Sequence, residues 1–395
     1  MNDWEIKSLG DVLQLNYGKG LSVENRIPGP IPVYGSNGVV GYHDTALSSG
    51  PGIIVGRKGS AGEVHLCDGP FYPIDTTYYL TSQDAPGADL EFLYYLLKHI
   101  DLKRVKGDVG VPGLNREMAY LEPVSLPRRL SEQIAIAHTL STVQRAIEAQ
   151  ERIIQTTTVL KKALMQKLFS EGLRGEPQKE TEIGLVPESW EVVPLSAICS
   201  FLSGGTPSKQ NPNFWQGSIP WVSPKDMKRP RLSDAQDHIS EEALQSGSKL
   251  APAGSVLVVV RGMILAKTVP VALAQAPMAI NQDMKAIVPG PRLRPDFLLY
   301  ALETLRDSLF KRVGRSGHGT CTLMGHEVAA FKIPLPSNVE QNTIAGVAEN
   351  LELKINLHQA KGGQLQAAFQ TLLHELMAAK IRVHETVSAI GGRPK

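Results

Sequence analysis

The chain is written twice, and that repeat constrains its fold more than any other feature. Trp4-Glu5-Ile6-Lys7-Ser8-Leu9 returns as Trp190-Glu191-Val192-Val193-Pro194-Leu195. Phe92-Leu93-Tyr94-Tyr95-Leu96-Leu97 is echoed by Phe297-Leu298-Leu299-Tyr300-Ala301-Leu302, each fitting a short amphipathic helix. Leu126-Pro127 followed by Glu132-Gln133 returns as Leu335-Pro336 followed by Glu340-Gln341. A duplication on this scale predicts two equivalent halves, the second longer in its loops. At 395 residues the chain exceeds one ordinary domain of about 100 to 200 residues.

After each Glu-Gln pair comes a long proline-free stretch whose apolar residues recur at spacings of three and four, the mark of a helical seam. Ile136, Leu140, Val143, Ile147, Ile154, Leu164 and Leu168 keep the beat in the first copy. Ile344, Leu351, Ile355, Leu365, Phe369, Leu372 and Leu376 keep it in the second. Both seams weaken in the middle, at Gln150, Thr157 and Lys161 and at His358 and Gly362. Ser337 and Glu340 predict a capping box at the second helix start, where the matching Arg129 cannot cap the first. A helix of about 40 residues is roughly 60 Å long, and its apolar stripe needs a partner. Two equivalent halves related by a pseudo-twofold axis bring the helices together antiparallel. The polar stretch from Glu171 to Glu188, broken by Gly172, Gly175, Pro177, Gly184 and Pro187, is expected as a linker whose length bears on the spacing of the two halves.

Composition narrows the function classes. Hydrophobic residues at 42% and charged residues at 20% describe a globular chain with material for real cores. The most apolar stretch, Val256 to Ile280, is cut by Arg261, Lys267, Pro270 and Pro277, which favours buried strands over a bilayer span. Met1-Asn2-Asp3-Trp4 offers no basic or apolar leader, so a cytoplasmic location is expected. Cys67, Cys199 and Cys321 lie too far apart for a disulfide framework and read as packing residues. A net charge of +2 does not by itself announce a nucleic-acid partner, so that reading rests on local clusters.

Pro32-Val33-Tyr34, Gly52-Ile53-Ile54-Val55 and Val256-Leu257-Val258-Val259-Val260 read as strands bounded by Gly and Pro, giving α/β (α+β) domains. Tyr34-Gly35-Ser36-Asn37-Gly38 and Gly56-Arg57-Lys58-Gly59-Ser60 are loops where glycine lets the backbone approach a partner and a basic pair can meet phosphate. The candidate DNA-binding residues are therefore Tyr34, Ser36, Asn37, Arg57, Lys58 and Ser60 in the first half. In the second they are Thr206, Ser208, Lys209, Trp221, Lys225, Arg261, Arg315 and His318.

Duplicated β-rich domains, each closed by a proline, a Glu-Gln pair and a long helix, resemble the specificity subunits of Type I restriction-modification systems. Tyr34 to Gly38 with Gly41-Tyr42, Ile53 to Gly62, Ile74-Asp75, and Gly204 to Ser208 followed by Ile219-Pro220-Trp221 resemble recurrent motifs of their target recognition domains. The resemblance covers nearly the whole chain. It implies two β-rich target recognition domains, 1–127 and 189–336, separated by an antiparallel coiled coil of long helices, 128–172 and 337–388. A linker at 173–188 and a tail at 389–395 complete this division. It also implies a non-catalytic subunit that reads a bipartite target in double-stranded DNA. Two adenine methyltransferase subunits would bind its helical region, with Glu132, Gln133, Glu340 and Gln341 at that interface, and nuclease-translocase subunits would join them. S-adenosylmethionine, ATP and magnesium would belong to those partners, and no cofactor or metal to this chain. A departure is Gly362-Gly363, which interrupts the second seam.

Two rival readings stay in view: a coiled-coil scaffold that binds only protein, and a specificity subunit of a methylation-only complex without a nuclease. Enzymatic readings are weaker. Asn211-Pro212-Asn213-Phe214 departs from an amino-methyltransferase motif at its third residue, and Gly56 to Ser60 lacks phosphate-loop spacing. Pro295-Asp296 with Glu303 lacks the lysine of a metal nuclease. His318, Cys321 and His326 lack a fourth zinc ligand.

Overall fold

The computed structural model describes residues 4–105, 113–315 and 320–383. The chain divides into two units, one comprising Met1–Arg152 with Gln359–Lys395, the other Ile153–His358.

In the first unit, β1 (Trp4–Ser8) leads into the single turn α1 (Leu9–Val12) and the short strand β2 (Asn16–Tyr17). Strands β3 (Ile31–Gly35) and β4 (Gly38–His43) form a hairpin, followed by β5 (Gly52–Gly56), β6 (Val64–Cys67), β7 (Tyr72–Pro73) and β8 (Thr77–Thr81). Helices α2 (Leu90–His99) and α3 (Arg116–Tyr120) precede β9 (Pro123–Pro127). A four-stranded antiparallel sheet runs β2-β8-β5-β6, and a three-stranded one β4-β3-β7. Strand β9 returns to pair with β1, so the ends of the domain meet. Strand β5 is buried throughout, as its unbroken apolar run requires.

Helix α4 (Leu130–Glu171) then begins. Its Ile136, Leu140 and Ile147 share one core with Phe92, Leu93 and Leu96 of α2 and with Phe369, Leu373 and Leu376 near the chain's end.

The second unit opens with the later half of α4 and a hairpin of β10 (Gln178–Thr181) and β11 (Gly184–Pro187). The stretch expected as a linker is therefore ordered: Thr181 Oγ1 donates to the Gly184 carbonyl at 2.7 Å, and Gly184 takes φ +103°. Strands β12 (Glu191–Pro194), β13 (Cys199–Ser203), β14 (Ile219–Val222), β15 (Arg231–Leu232) and β16 (Asp237–Ile239) follow. After α5 (Glu241–Gln245) come β17 (Leu250–Ala251), β18 (Val256–Val259), β19 (Val271–Ala274), β20 (Met278–Ile280) and β21 (Met284–Pro289). Helices α6 (Pro295–Thr304) and α7 (Arg306–Phe310), the pair β22 (Gly314–Arg315) and β23 (Cys321–Thr322), helix α8 (Gly325–Ala329) and β24 (Lys332–Leu335) complete the domain. Its main sheet runs β13-β21-β18-β19-β15, a second runs β16-β14-β20-β17, and β24 pairs with β12 as β9 does with β1.

Helix α9 (Asn338–Met377) closes the plan and runs unbroken through Gly362-Gly363. A Cβ at Gly362 would lie 3.7 Å from that of buried Gln150, so the small residue sits where the seam carries a polar one. In the second unit Met165 and Phe169 of α4 join Ile344, Ala345 and Ala348 of α9. Each unit pairs an early stretch of one helix with a late stretch of the other, so the helices run antiparallel. Both are shared between units, and the boundaries at Arg152 and His358 fall inside them.

Candidate nucleic-acid interface

The repeated landmarks turn out to bind one another. Trp4 Nε1 donates to Glu132 Oε1 at 3.0 Å, and Trp190 Nε1 donates to Glu340 Oε2 at 3.1 Å. Gln133 Oε1 accepts from the Asp89 amide at 2.9 Å while its Nε2 donates to the Pro127 carbonyl. Gln341 repeats this with the Arg294 amide and the Arg292 and Pro336 carbonyls, each at 2.9 Å. Gln133, Glu340 and Gln341 are buried. Of the residues expected at a methyltransferase interface, buried Gln133, Glu340 and Gln341 thus fasten each domain to its helix, and half-buried Glu132 does so through one carboxylate oxygen. Ser337 Oγ accepts from the Glu340 amide at 3.4 Å, but the Glu340 carboxylate goes to Trp190, so half of the capping box forms.

In the first unit two loops converge on the carbonyl of Thr76 in a third. The Arg57 amide, the Lys58 amide and Ser36 Oγ donate to it at 2.8, 3.1 and 2.6 Å. The Leu114 amide donates to the Arg57 carbonyl, bringing in the residues before α3. Gly18 approaches so closely that an added Cβ would lie 2.1 Å from the Ile74 carbonyl oxygen. On this frame the Tyr17 ring has two guanidiniums over it, Arg57 at 5.0 Å and Arg116 at 4.9 Å. Tyr78 meets Tyr17 edge-on at 5.1 Å, and burial pushes its phenol above the ordinary range. Arg57 Nη1 donates to the Asp75 carbonyl at 3.0 Å, and no carboxylate pairs with it among the described residues. Lys58 and Asn37 are exposed beside it, and Ser60 is half-buried.

Other first-half candidates do structural work. Ser36 is 7% exposed and spends its hydroxyl on Thr76, so direct DNA contact does not fit it. Tyr34 packs edge-on against Phe71 at 6.3 Å, and burial raises its phenol far above the ordinary range.

The second unit repeats the frame with different chemistry. The Val260 and Arg261 amides donate to the Asp283 carbonyl as Arg57 and Lys58 do to Thr76, and the Leu323 amide donates to the Val260 carbonyl as Leu114 does to Arg57. This register matches Lys58 to Arg261 and Arg116 to Gly325. It also matches Tyr78 to Lys285 and Tyr17 to Ser203, because β2 pairs with β8 as β13 pairs with β21. Lys285 Nζ donates to Ser203 Oγ at 2.8 Å. Gly204 repeats the close approach of Gly18, here to the Asn281 carbonyl. Thr206 is exposed and hydrogen-bonds Gln282, and Ser208, Lys209, Arg261 and Arg315 are exposed. Trp221 is 6% exposed, donates to the Gly205 carbonyl at 3.0 Å and packs on Trp215, so its role is to hold the Gly204-Gly205 turn. Lys225 pairs with Asp237 at 2.7 Å, which raises its pKa. His318 lies outside the described residues.

Tyr17, Arg116 and Lys285 escaped sequence reasoning. Asn115 was a legible signal for Arg116, since its side chain caps α3 by accepting from the Met118 amide at 3.1 Å. The rival catalytic residues are otherwise engaged: Asp296 pairs with Arg231 at 2.7 Å, Glu303 pairs with Lys161, and Asn211 caps its own turn.

Comparison with known proteins decides the family. The model of the Type I restriction modification DNA specificity domain matches residues 1–157 and again 187–367. The chain belongs to that family. The EcoR124I/EcoR124II specificity subunit of Escherichia coli is 29% identical over 279 residues, covering 70% of this chain and 67% of that protein. The MjaVIII specificity subunit of Methanocaldococcus jannaschii is 23% identical, covering 96% of this chain and 93% of its own. The crystal structure of the S subunit from M. genitalium superposes with a TM-score of 0.68 at 19% identity, covering 95% of this chain and 96% of that one. This specificity protein therefore combines DNA target recognition domains in duplicate with a shared helix pair. Among the described residues no helix is long and apolar enough to cross a membrane.

Proposed function

We propose that this specificity protein reads a bipartite DNA target, one half per unit, and directs adenine methylation and restriction carried out by partner subunits. One observation carries the reading: two copies of one hydrogen-bonded frame present different side chains at matching positions. Tyr17, Lys58 and Arg116 occupy them in the first unit, over buried Tyr78, and Ser203, Arg261 and Gly325 in the second, over half-buried Lys285. Guanidinium and ammonium groups supply phosphate contacts and guanine readout, while hydroxyls and aromatic faces vary what is read. Equal frames with unequal chemistry suit unequal half-sites.

On this reading two adenine methyltransferase subunits bring S-adenosylmethionine, nuclease-translocase subunits bring ATP and magnesium, and this chain carries no reacting group. Mapping methylated adenines in cells that express the complex tests it. Replacing Met1–Leu126 by the matching domain of a relative should change one half of the methylated sequence and leave the other. A change in both halves, or in neither, would overturn the reading.

The gap between the halves is assigned to the shared helices, because both unit boundaries lie within them. Seven helix-forming residues added after Arg152 and seven after His358 keep the seam in phase and add about 10 Å. The unspecified gap should lengthen by roughly three base pairs at about 3.4 Å each. The same insertion at 173–188 should not change it, since that segment is a hairpin inside the second unit.

A further inference from the structure

The two main sheets differ by one strand, and the difference leaves a site open. In the second unit β15 adds to the outer edge of β19 in parallel, with Arg231 opposite Leu273. Its guanidinium is held on all sides. Nη1 meets Asp296 Oδ1 at 2.7 Å, Nη2 donates to the Tyr300 hydroxyl at 3.1 Å, and Nε lies 3.6 Å from Glu352 Oε2. Glu349 stands 3.8 Å away.

In the first unit the sheet stops at β6, the strand that matches β19, and among the described residues no strand pairs with its outer edge. Beside that edge is a cavity of about 630 Å³. The shared registers place Glu91 where the second unit has Asp296, Tyr95 where it has Tyr300, and Leu66 where it has Leu273. All three line the cavity, as do Asp68 and Glu148. Three carboxylates thus face one arginine, Arg145, whose guanidinium turns back to the Ser141 carbonyl at 3.4 Å and Thr142 Oγ1 at 3.3 Å. His65, also in the lining, keeps a buried Nε2 without a hydrogen-bond partner.

We propose that this groove is a docking site for an extended, arginine-bearing segment of another protein chain, which adds to the β6 edge and places its guanidinium against Glu91 and the Tyr95 hydroxyl. The second unit shows a bound arginine on the matching Asp296 and Tyr300, supplied by its own chain, while its Glu349 and Glu352 are matched here by Ser141 and Gln144, and Asp68 and Glu148 supply the further carboxylates. Strand addition gives register through main-chain hydrogen bonds, and the planar guanidinium fits a carboxylate beside a phenol better than an ammonium does. The mixed carboxylate, imidazole and backbone lining disfavours DNA, whose phosphates would meet Asp68, Glu91 and Glu148.

The test uses the full chain and a fluorescein-labelled peptide copying Lys228–Ser233, with its Arg231→Ala and Arg231→Lys versions as controls. Saturable binding at or below about 1 mM is expected for the parent peptide. The alanine version should bind at least tenfold more weakly, a loss of about 1.4 kcal/mol, with the lysine version between them. The chain variants Glu91→Gln and Tyr95→Phe should weaken the parent peptide, with their folding checked by hydrogen exchange in the α4 and α9 amides. Bound peptide should slow exchange at outward amides of Val64–Cys67. No saturation in that range, equal binding of parent and alanine peptides, or protection that misses Val64–Cys67 would each overturn the proposal. Displacement of the peptide by duplex DNA with no effect of Glu91→Gln would do the same and move the site to nucleic acid.

Discussion

Gln341→Leu removes a side chain that is fully buried and makes three hydrogen bonds to backbone, while keeping nearly the same volume. The Pro336 carbonyl lies in a buried residue and loses its donor outright, whereas Arg292 and Arg294 are exposed residues whose backbone water can reach. An unpaired buried group costs about 1–3 kcal/mol and a rehydrated one much less, so the total should be roughly 2–4 kcal/mol. For a unit of this size that is a fall in Tm on the order of 10 °C. Trp190, Trp215 and Trp221 all lie in the second unit and only Trp4 in the first, so tryptophan fluorescence follows the second unit's melting. Following one unit matters because two units need not melt in one transition. Gln133→Leu removes two such bonds in the first unit and should leave this signal near its wild-type midpoint. A shift under about 2 °C for Gln341→Leu would show that the Glu-Gln pair is not what fastens the domain to its helix.

Three other outcomes follow from the geometry. In the assembled complex, Lys58→Ala and Arg261→Ala should each flatten the slope of log affinity against log salt by up to about 0.9, and an unchanged slope with intact folding would take these loops off the phosphates. Trp221→Phe loses the bond to the Gly205 carbonyl, so it should cost about 0.5–1.5 kcal/mol of stability and weaken DNA binding without changing the salt slope; a changed slope would mean that Trp221 itself meets DNA. Burial, aided by His374, lowers the pKa of His99, so the native state binds fewer protons than the unfolded chain between that lowered value and 6.5. The first unit should lose stability as pH falls through this window, and His99→Gln should flatten the loss in urea titrations; an unaltered pH profile would remove His99 as its source.

The features legible in the sequence were those with a period or a partner in the other half. The helical seams announced α4 and α9, and the paired landmarks announced two domains of one plan. What Glu132-Gln133 and Glu340-Gln341 do was hidden, because repetition marks a constraint without saying whether it faces inward or outward. Their partners are the Asp89 and Arg294 amides, and backbone groups leave no trace in composition. The hairpin at 178–187 was masked for a related reason: Gly184 and Pro187 read as breakers, yet the same residues shape a turn and a strand end. Tyr17, Arg57 and Arg116 come from three separate stretches, and their cation–π cluster exists only in three dimensions.

The Glu-Gln fastening recognises little of what it holds. Gln133 and Gln341 address amide and carbonyl groups that every residue carries, and Glu132 and Glu340 each ask for one tryptophan at the domain's entrance. A domain with that tryptophan and a helix start in the right place satisfies the joint itself, and what remains to be matched is the apolar face it lays on the helices, as Phe92, Leu93 and Leu96 lie on Ile136, Leu140 and Ile147. Surface loops are then free to diverge while the joint and the apolar face behind it stay fixed, so an exchanged segment that brings its own tryptophan and its own apolar face meets both demands at once.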